Sequence, residues 1–183
     1  TLFLKVSSKD KLPEKSAHHV LHVLRKGVND DLILFNGQGG EYHGYITSIK
    51  RSHVIVCIHS NDAIDRESSL QVTLGLGILK RDAMNTTLQK ATELGVTSII
   101  PVDTTNTSVS RKQLDKREVQ WRQVIQSACE QSGRTQVPNL DIVHTFDDFL
   151  RIDKHDLKLI PSPATDIRMS SINSAVKSVC VVI

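Results

Sequence analysis

Aromatic residues are scarce in this chain, at 4% with a single tryptophan, so its core must be aliphatic. Cysteine is scarcer still. Cys57, Cys129 and Cys180 are odd in number and far apart, and two of them sit in Val/Ile runs. That argues against a disulfide framework or a cysteine metal site and suits a reducing cytoplasm. No apolar run approaches the ~20 residues that cross a bilayer and no signal peptide opens the sequence, so no membrane partner is expected. A one-sided charge is also missing. Residues 1–69 hold nine Lys/Arg against eight Asp/Glu, and residues 70–183 hold fourteen against twelve, for a net charge of +3. Any affinity for nucleic acid must come from local clusters, because so weak a global field attracts few phosphates.

What is present divides near residue 65. Up to about residue 60 the chain reads as short strands closed by tight turns: Leu2–Val6, Asp31–Phe35, Glu41–Ile49 and His53–His59. One helix, Glu14–Arg25, carries Ala17, Val20, Leu21 and Leu24 on one side and is stopped by Gly27. Strands with tight turns and one helix suggest a small barrel. The polar stretch Asn61–Ser69 reads as a linker. Beyond it strands and helices alternate: Leu70–Leu79, a helix Arg81–Leu94 ended by Gly95, Ser98–Val102, a helix Gln113–Gln131, then Leu140–Val143, Phe146–Leu150, Leu157–Ile160 and Ser178–Ile183. This alternation implies an α/β layer on a largely parallel sheet, so the fold class is α/β (α+β overall).

Several groups of residues carry chemistry. His18 and His22 stand one helical turn apart, but no third ligand follows. A solvated face, or a cationic and stackable surface for RNA with Arg25 and Lys26, fits better than a metal site. Asn36-Gly37-Gln38-Gly39-Gly40 lacks the Gly-Lys-Ser/Thr ending of a phosphate loop and reads as a hairpin turn. Lys80 and Arg81 stand at a strand-to-helix junction, where cations and helix N–H groups can meet an anion. A small-molecule phosphate binder is one reading of that junction. Met84, Leu88, Ala91 and Leu94 form the expected buried stripe of the first long helix, with Lys90 and Glu93 paired on its surface. On the second, Trp121, Val124, Ile125 and Ala128 face inward. Glu130-Gln131-Ser132-Gly133-Arg134 closes that helix with five polar or small residues.

Taken in order, these blocks resemble the RsmE-type family, the 16S ribosomal RNA uridine N3-methyltransferases. Ala17-His18-His19-Val20-Leu21 with Val23-Leu24-Arg25 is similar to its N-terminal motif. Phe35-Asn36-Gly37 with Gly40-Glu41-Tyr42 is similar to the following turn, and Asp65-Arg66-Glu67-Ser68 to the entry into the next strand. Gln89-Lys90-Ala91-Thr92-Glu93-Leu94-Gly95-Val96 and Glu130-Gln131-Ser132-Gly133-Arg134 with Val137-Pro138 are the most specific matches. The resemblance implies a PUA-like RNA-binding barrel at residues 1–64, a linker at 65–69, and at 70–183 part of a SPOUT α/β domain. It also implies a trefoil knot that binds S-adenosylmethionine, action as a homodimer in the cytoplasm, and 16S ribosomal RNA or the small subunit as partner.

Under the resemblance, His18, His19, Arg25, Arg81 and Arg134 are the expected RNA contacts. Lys90, Glu93, Glu130 and Gln131 would organise the site or the dimer, and Leu159, Ile160 and Pro161 would offer backbone to the donor's adenine. The sequence departs from the family where Ile160 precedes Pro161, since some members have a histidine there. The glycine-rich loop that the family places after Ile183 is not in the sequence. The expectation is therefore of a chain without its knot and without a catalytic base of its own, inactive in methyl transfer. A non-catalytic RNA-binding or ribosome-assembly factor is the alternative.

Overall fold

The computed structural model describes residues 2–3, 11–51, 53–105, 107, 111–152, 154–164, 168–171 and 175–183. They fall into two compact units, residues 1–67 with 129–137, and residues 68–128 with 138–183. Residues 129–137 were expected with the second domain and belong to the first unit.

In the first unit, β1 (Leu2–Phe3) is followed by α1 (Glu14–His18) and a π-helical turn (His19–Val23). Three strands come next: β2 (Asp31–Phe35), β3 (Glu41–Lys50) and β4 (His53–Asp62). They form a sheet in the order β1-β2-β3-β4, parallel at the first pairing and antiparallel at the others. Alternation sets the faces. Leu32 and Leu34 point inward with Ile46, Val54 and Val56, while Asp31 and Ile33 point out. Ala17 and Val20 pack on the inner face, both fully buried.

The expected helix Glu14–Arg25 is corrected in its second half. The Leu24 N–H bonds the His19 carbonyl and the Lys26 N–H bonds that of Val20, widening the turn. This leaves Val20 in the core and turns Val23 and Leu24 outward, at 61% and 44% exposure. Left-handed backbone comes at Arg25, with φ 52°, and not at the expected stop Gly27. The glycine-rich segment joins two antiparallel strands as expected of a hairpin turn, with Gly37, Gly39 and Gly40 all at positive φ. It has a second use. Its backbone takes up the chain after the second long helix, through Gly39 N–H to the Thr135 carbonyl and Val137 N–H to the Gly37 carbonyl.

The linker is tied down. Arg66 Nη1 donates to Oε1 of Glu41 on β3 at 2.7 Å, and Glu67 is paired with Arg134. The hydrogen bond from Arg66 holds the Glu41 carboxyl below its usual range. A lowered carboxylate contributes stability above its unfolded pKa, about 4.3, and that contribution disappears as pH falls through the folded value. Arg66→Ala should therefore destabilise the chain between pH 5 and 7, with the difference from wild type shrinking below pH about 4. Thermal melts across pH 3–7 check this, and an offset independent of pH would remove Glu41 from the account.

The second unit is built on β5 (Gln71–Gly77), α2 (Arg81–Glu93), β6 (Ser98–Asp103) and α3 (Arg111–Ser132), whose end lies among residues 129–137 of the first unit. It continues with β7 (Asn139–Leu140), β8 (His144–Thr145), α4 (Phe146–Ile152), β9 (Leu157–Leu159), a 3₁₀ turn (Met169–Ser171) and β10 (Ser178–Val182). The sheet runs β7-β6-β5-β10-β9 with β8 also on β6, and every pairing is parallel. The unbroken burial of Thr73–Leu76 is what a central parallel strand covered on both faces requires. The expected strand Leu140–Val143 is two short pieces, β7 and β8. Leu94 was expected in the buried stripe of α2 but is 85% exposed, because the helix ends at Glu93 and Val96 turns in instead. Gly95 and Gly133, at φ 94° and 74°, follow the two long helices as left-handed stops.

Candidate functional site

In an open parallel sheet, the carboxyl ends of the strands and the helix N-termini that follow them face one edge, where ligands are usually held. In the second unit that edge is assembled by register. Leu159 pairs with Val181, the Ile183 N–H bonds the Gly75 carbonyl, and the Gly77 N–H bonds the Ile183 carbonyl. Leu159, Ile160 and Pro161 thus stand beside the end of β10, which in turn adjoins the exit of β5. Ile160 is 70% exposed, and Leu79 on the same edge is also exposed. Exposed apolar side chains beside strand-end backbone have the chemistry to hold an adenine ring. Arg81, exposed, opens α2 directly after β5 on this edge.

The entry to β9 and β10 is clamped at their other ends. Asp156 Oδ2 accepts the N–H groups of Lys177 and Ser178 at 3.1 and 3.0 Å, and the Asp156 N–H donates to Ser178 Oγ. The Ser178 hydroxyl, then the two backbone N–H groups, hold the carboxyl below its usual range. His155 Nε2 lies 2.7 Å from Oγ1 of the buried Thr73. These contacts set the register that carries Leu159 to the ligand edge.

Three further residues were not expected. Asn85 Oδ1 and Arg117 Nη1 are buried without a hydrogen-bond partner, and the buried His144 Nε2 stands 3.4 Å from Asp141 Oδ2. Asn85 and Arg117 lie in the second turns of α2 and α3, and His144 pairs with Val102 near the end of β6, so all belong to the same half of the sheet. A buried orphan costs about 1–3 kcal/mol. None shows a spacing or motif by which the sequence could have marked it.

The RNA-contact candidates separate. His18 and Arg25 are exposed and His19 half-buried on the α1 and π-turn segment, where the rings of His18 and His22 stand 4.5 Å apart. Arg134 is a correction. It is 8% exposed, and Nε and Nη2 donate to the two carboxylate oxygens of Glu67 at 3.1 and 2.5 Å. That guanidinium holds the linker. Glu130, half-buried, and Gln131, exposed, end α3 near it.

Lys90 and Glu93 are 2.7 Å apart, and Gln89 Nε2 also donates to Glu93. The Lys90 hydrogen bond, then that of Gln89, lowers the Glu93 carboxyl. They lie at the far end of α2, about 14–18 Å along its axis from Arg81, so the structure does not bring them to the ligand edge. Burial pushes the Cys129 thiol up to about 11, which keeps it protonated and unreactive. Iodoacetamide at pH 8 should leave Cys129 unmodified in the folded chain, and peptide mapping that finds it alkylated first would contradict this burial.

The family model of an RNA methyltransferase domain matches residues 66–183, and that of an RNA methyltransferase PUA domain matches residues 12–58. The chain belongs to the RNA methyltransferase family. The Ribosomal RNA small subunit methyltransferase E of Buchnera aphidicola subsp. Schizaphis graminum is 29% identical over 140 residues, covering 75% of this chain and 57% of that protein. Among solved structures, the Legionella pneumophila protein Lpg2936 in complex with bound SAM superposes with a TM-score of 0.91 at 32% identity. It covers 99% of this chain and 77% of that one. A Ribosomal RNA small subunit methyltransferase E from Neisseria gonorrhoeae bound to S-adenosyl methionine gives 0.88 at 30%, covering 100% and 77%. This chain thus spans little more than half of the Buchnera relative and about three quarters of each solved one. The fold expected from the resemblance, an N-terminal mostly antiparallel sheet followed by a parallel α/β sheet, agrees with these neighbours. No described helix is long and apolar enough to cross a membrane.

Proposed function

We propose that this protein takes part in S-adenosylmethionine-dependent methylation of a uridine N3 in 16S ribosomal RNA of the small subunit, in the cytoplasm and as a homodimer. The observation that supports this most is the agreement, over nearly the whole chain, with two solved relatives that hold this donor. On this reading residues 1–64 bind RNA, residues 65–69 link, and residues 70–183 contribute to the methyltransferase domain. Leu159, Ile160 and Pro161 present strand-end backbone and apolar surface to the adenine. Arg81 faces the nucleotide at the same edge, while His18, His19 and Arg25 hold the surrounding RNA. The donor supplies an electrophilic methyl group. The uridine N3 must be unstacked, aligned with that methyl and relieved of its imide proton.

The deciding experiment supplies donor carrying a labelled methyl group and unmodified small subunits to the full chain. Label in the RNA, located at a uridine N3 by mass spectrometry, would support methyl transfer and overturn the expectation of an inactive chain. Retained RNA affinity without saturable donor binding or label would replace this reading with the non-catalytic RNA-binding one. For the RNA surface, Arg25→Ala should weaken binding across sequences and reduce the slope of log affinity against log salt by about one. An unchanged slope would remove Arg25 from the interface.

A further inference from the structure

The π-helical turn puts apolar side chains where a regular helix would not. With Ala17 and Val20 buried, four-residue spacing would carry Leu24 onto the same buried stripe. The wider turn, closed by Leu24 N–H on the His19 carbonyl and Lys26 N–H on that of Val20, shifts Leu24 out of that stripe. Val28, 50% exposed, joins Val23 and Leu24 at the surface. The segment is tied at both ends. Val20 is fixed in the core, and the Asn29 N–H donates to the Ile46 carbonyl of β3 at 2.8 Å. Two of its residues other than glycine adopt left-handed backbone, Arg25 at φ 52° and Asn29 at φ 72°. A π-turn and left-handed backbone outside glycine both cost stability, and both gather at functional sites.

Charge along this segment is one-sided. Residues 15–29 contain Lys15, Arg25, Lys26 and the histidines 18, 19 and 22, but no Asp or Glu. The next acid, Asp30, is turned to the Gly27 N–H, which it accepts at 2.7 Å. A local cluster of cations suits phosphate, yet a phosphate contact has no use for apolar side chains. Val23, Leu24 and Val28 can gain only from the faces of bases. In an A-form duplex those faces are stacked on one another and the deep groove keeps side chains out. A single strand can splay its bases onto apolar and planar groups. The exposed rings of His18 and His22, tilted by 42° to each other, add such planar groups one turn earlier.

We propose that the π-turn segment binds single-stranded RNA, with Arg25 and Lys26 on phosphate and Val23, Leu24 and Val28 against the faces of unstacked bases. The proposal rests on the reading of residues 1–64 as RNA-binding and adds the class of RNA that they select.

The test measures fluorescence anisotropy of a short labelled RNA of mixed sequence with the full chain. The RNA is offered as a single strand, as a duplex with its complement, and as a strand carrying abasic positions. Wild type should bind the single strand roughly tenfold tighter than the duplex. Val23→Ser and Leu24→Ser, each confirmed folded by an unchanged melting temperature, should weaken single-strand binding several-fold. Both should leave the salt slope, the duplex affinity and the affinity for the abasic strand as in wild type, because the phosphate contacts remain. Val23→Ser, at the more exposed position, carries the test if Leu24→Ser does not fold. Equal wild-type affinity for strand and duplex, or unchanged strand affinity in every folded variant, would overturn this proposal alone. Absence of RNA binding by wild type would overturn the RNA reading and the proposal with it. Unchanged RNA affinity with lost self-association in ultracentrifugation would assign the apolar side chains to a contact between copies of this chain instead.

Discussion

Arg134→Ala lowers the unfolding free energy of the chain by about 3–5 kcal/mol, the usual effect of removing one partner from a buried ion pair. The Arg134 and Glu67 side chains are 9% and 11% exposed, and two parallel N–H donors meet the two carboxylate oxygens. Without the guanidinium, Glu67 keeps much of its desolvation and none of its pairing. Glu67→Ala should cost a comparable amount for the converse reason. The double substitution Arg134→Met with Glu67→Leu removes both charges and should recover more than half of the loss. Denaturant unfolding of the four chains forms the cycle, and strictly additive losses would show that the two groups do not act as a pair. Arg134→Ala also separates anchoring from RNA contact. Where the variant remains folded, the salt dependence of its RNA affinity should equal that of wild type. A shallower slope would return Arg134 to the phosphate surface.

The second large effect is at Gly75, in the middle of the central strand. A Cβ built there would lie 2.6 Å from Cζ of Phe149, whose ring is 1% exposed and packed with Ile100, Val102 and Cys180. Gly75→Val should cost about 3 kcal/mol, the upper part of the range for overpacking a filled core. Phe149→Ala should cost about 3–5 kcal/mol by leaving a cavity. Together they should cost at least ~1 kcal/mol less than the sum, because the valine then occupies space the ring has vacated. Additivity within ~0.3 kcal/mol would mean that the strand or α4 relaxes and that ring and glycine are not in conflict. The functional consequence is local. Gly75 also receives the Ile183 N–H on its carbonyl, so a displaced β5 moves the strand ends that form the ligand edge.

The strand and helix sequence was legible wherever periodicity and stop residues agree. Asp31–Phe35 and the start of α2 at Arg81 were read as observed, and Gly95 and Gly133 marked helix ends through the left-handed backbone that glycine adopts freely. The second half of the first helix was misread for a physical reason. Helical spacing of Ala17, Val20, Leu21 and Leu24 fits a regular helix equally well, and a π-turn leaves no local signature in residue type. Leu94 was misplaced because a residue one position past a helix end no longer follows its period.

Among the site residues, Arg81 and Leu159–Pro161 lie at the carboxyl-end edge of one parallel sheet, which alternation of strand and helix implies, while the order β7-β6-β5-β10-β9 does not follow from it. Arg134 illustrates the limit. Its neighbours in sequence suggest an exposed helix terminus, and its partner Glu67 is 67 positions away. No local pattern reports that pairing. The sequence alone determined what local energetics and family motifs encode: the two-part α+β layout, the hairpin turn, most helix limits and the family. Tertiary structure alone decided which charges are free. Burial of Arg134 against Glu67, the β-bulge at His59 and the buried polar atoms of Asn85 and Arg117 depend on contacts between distant segments, and long-range desolvation and register have no counterpart in residue spacing.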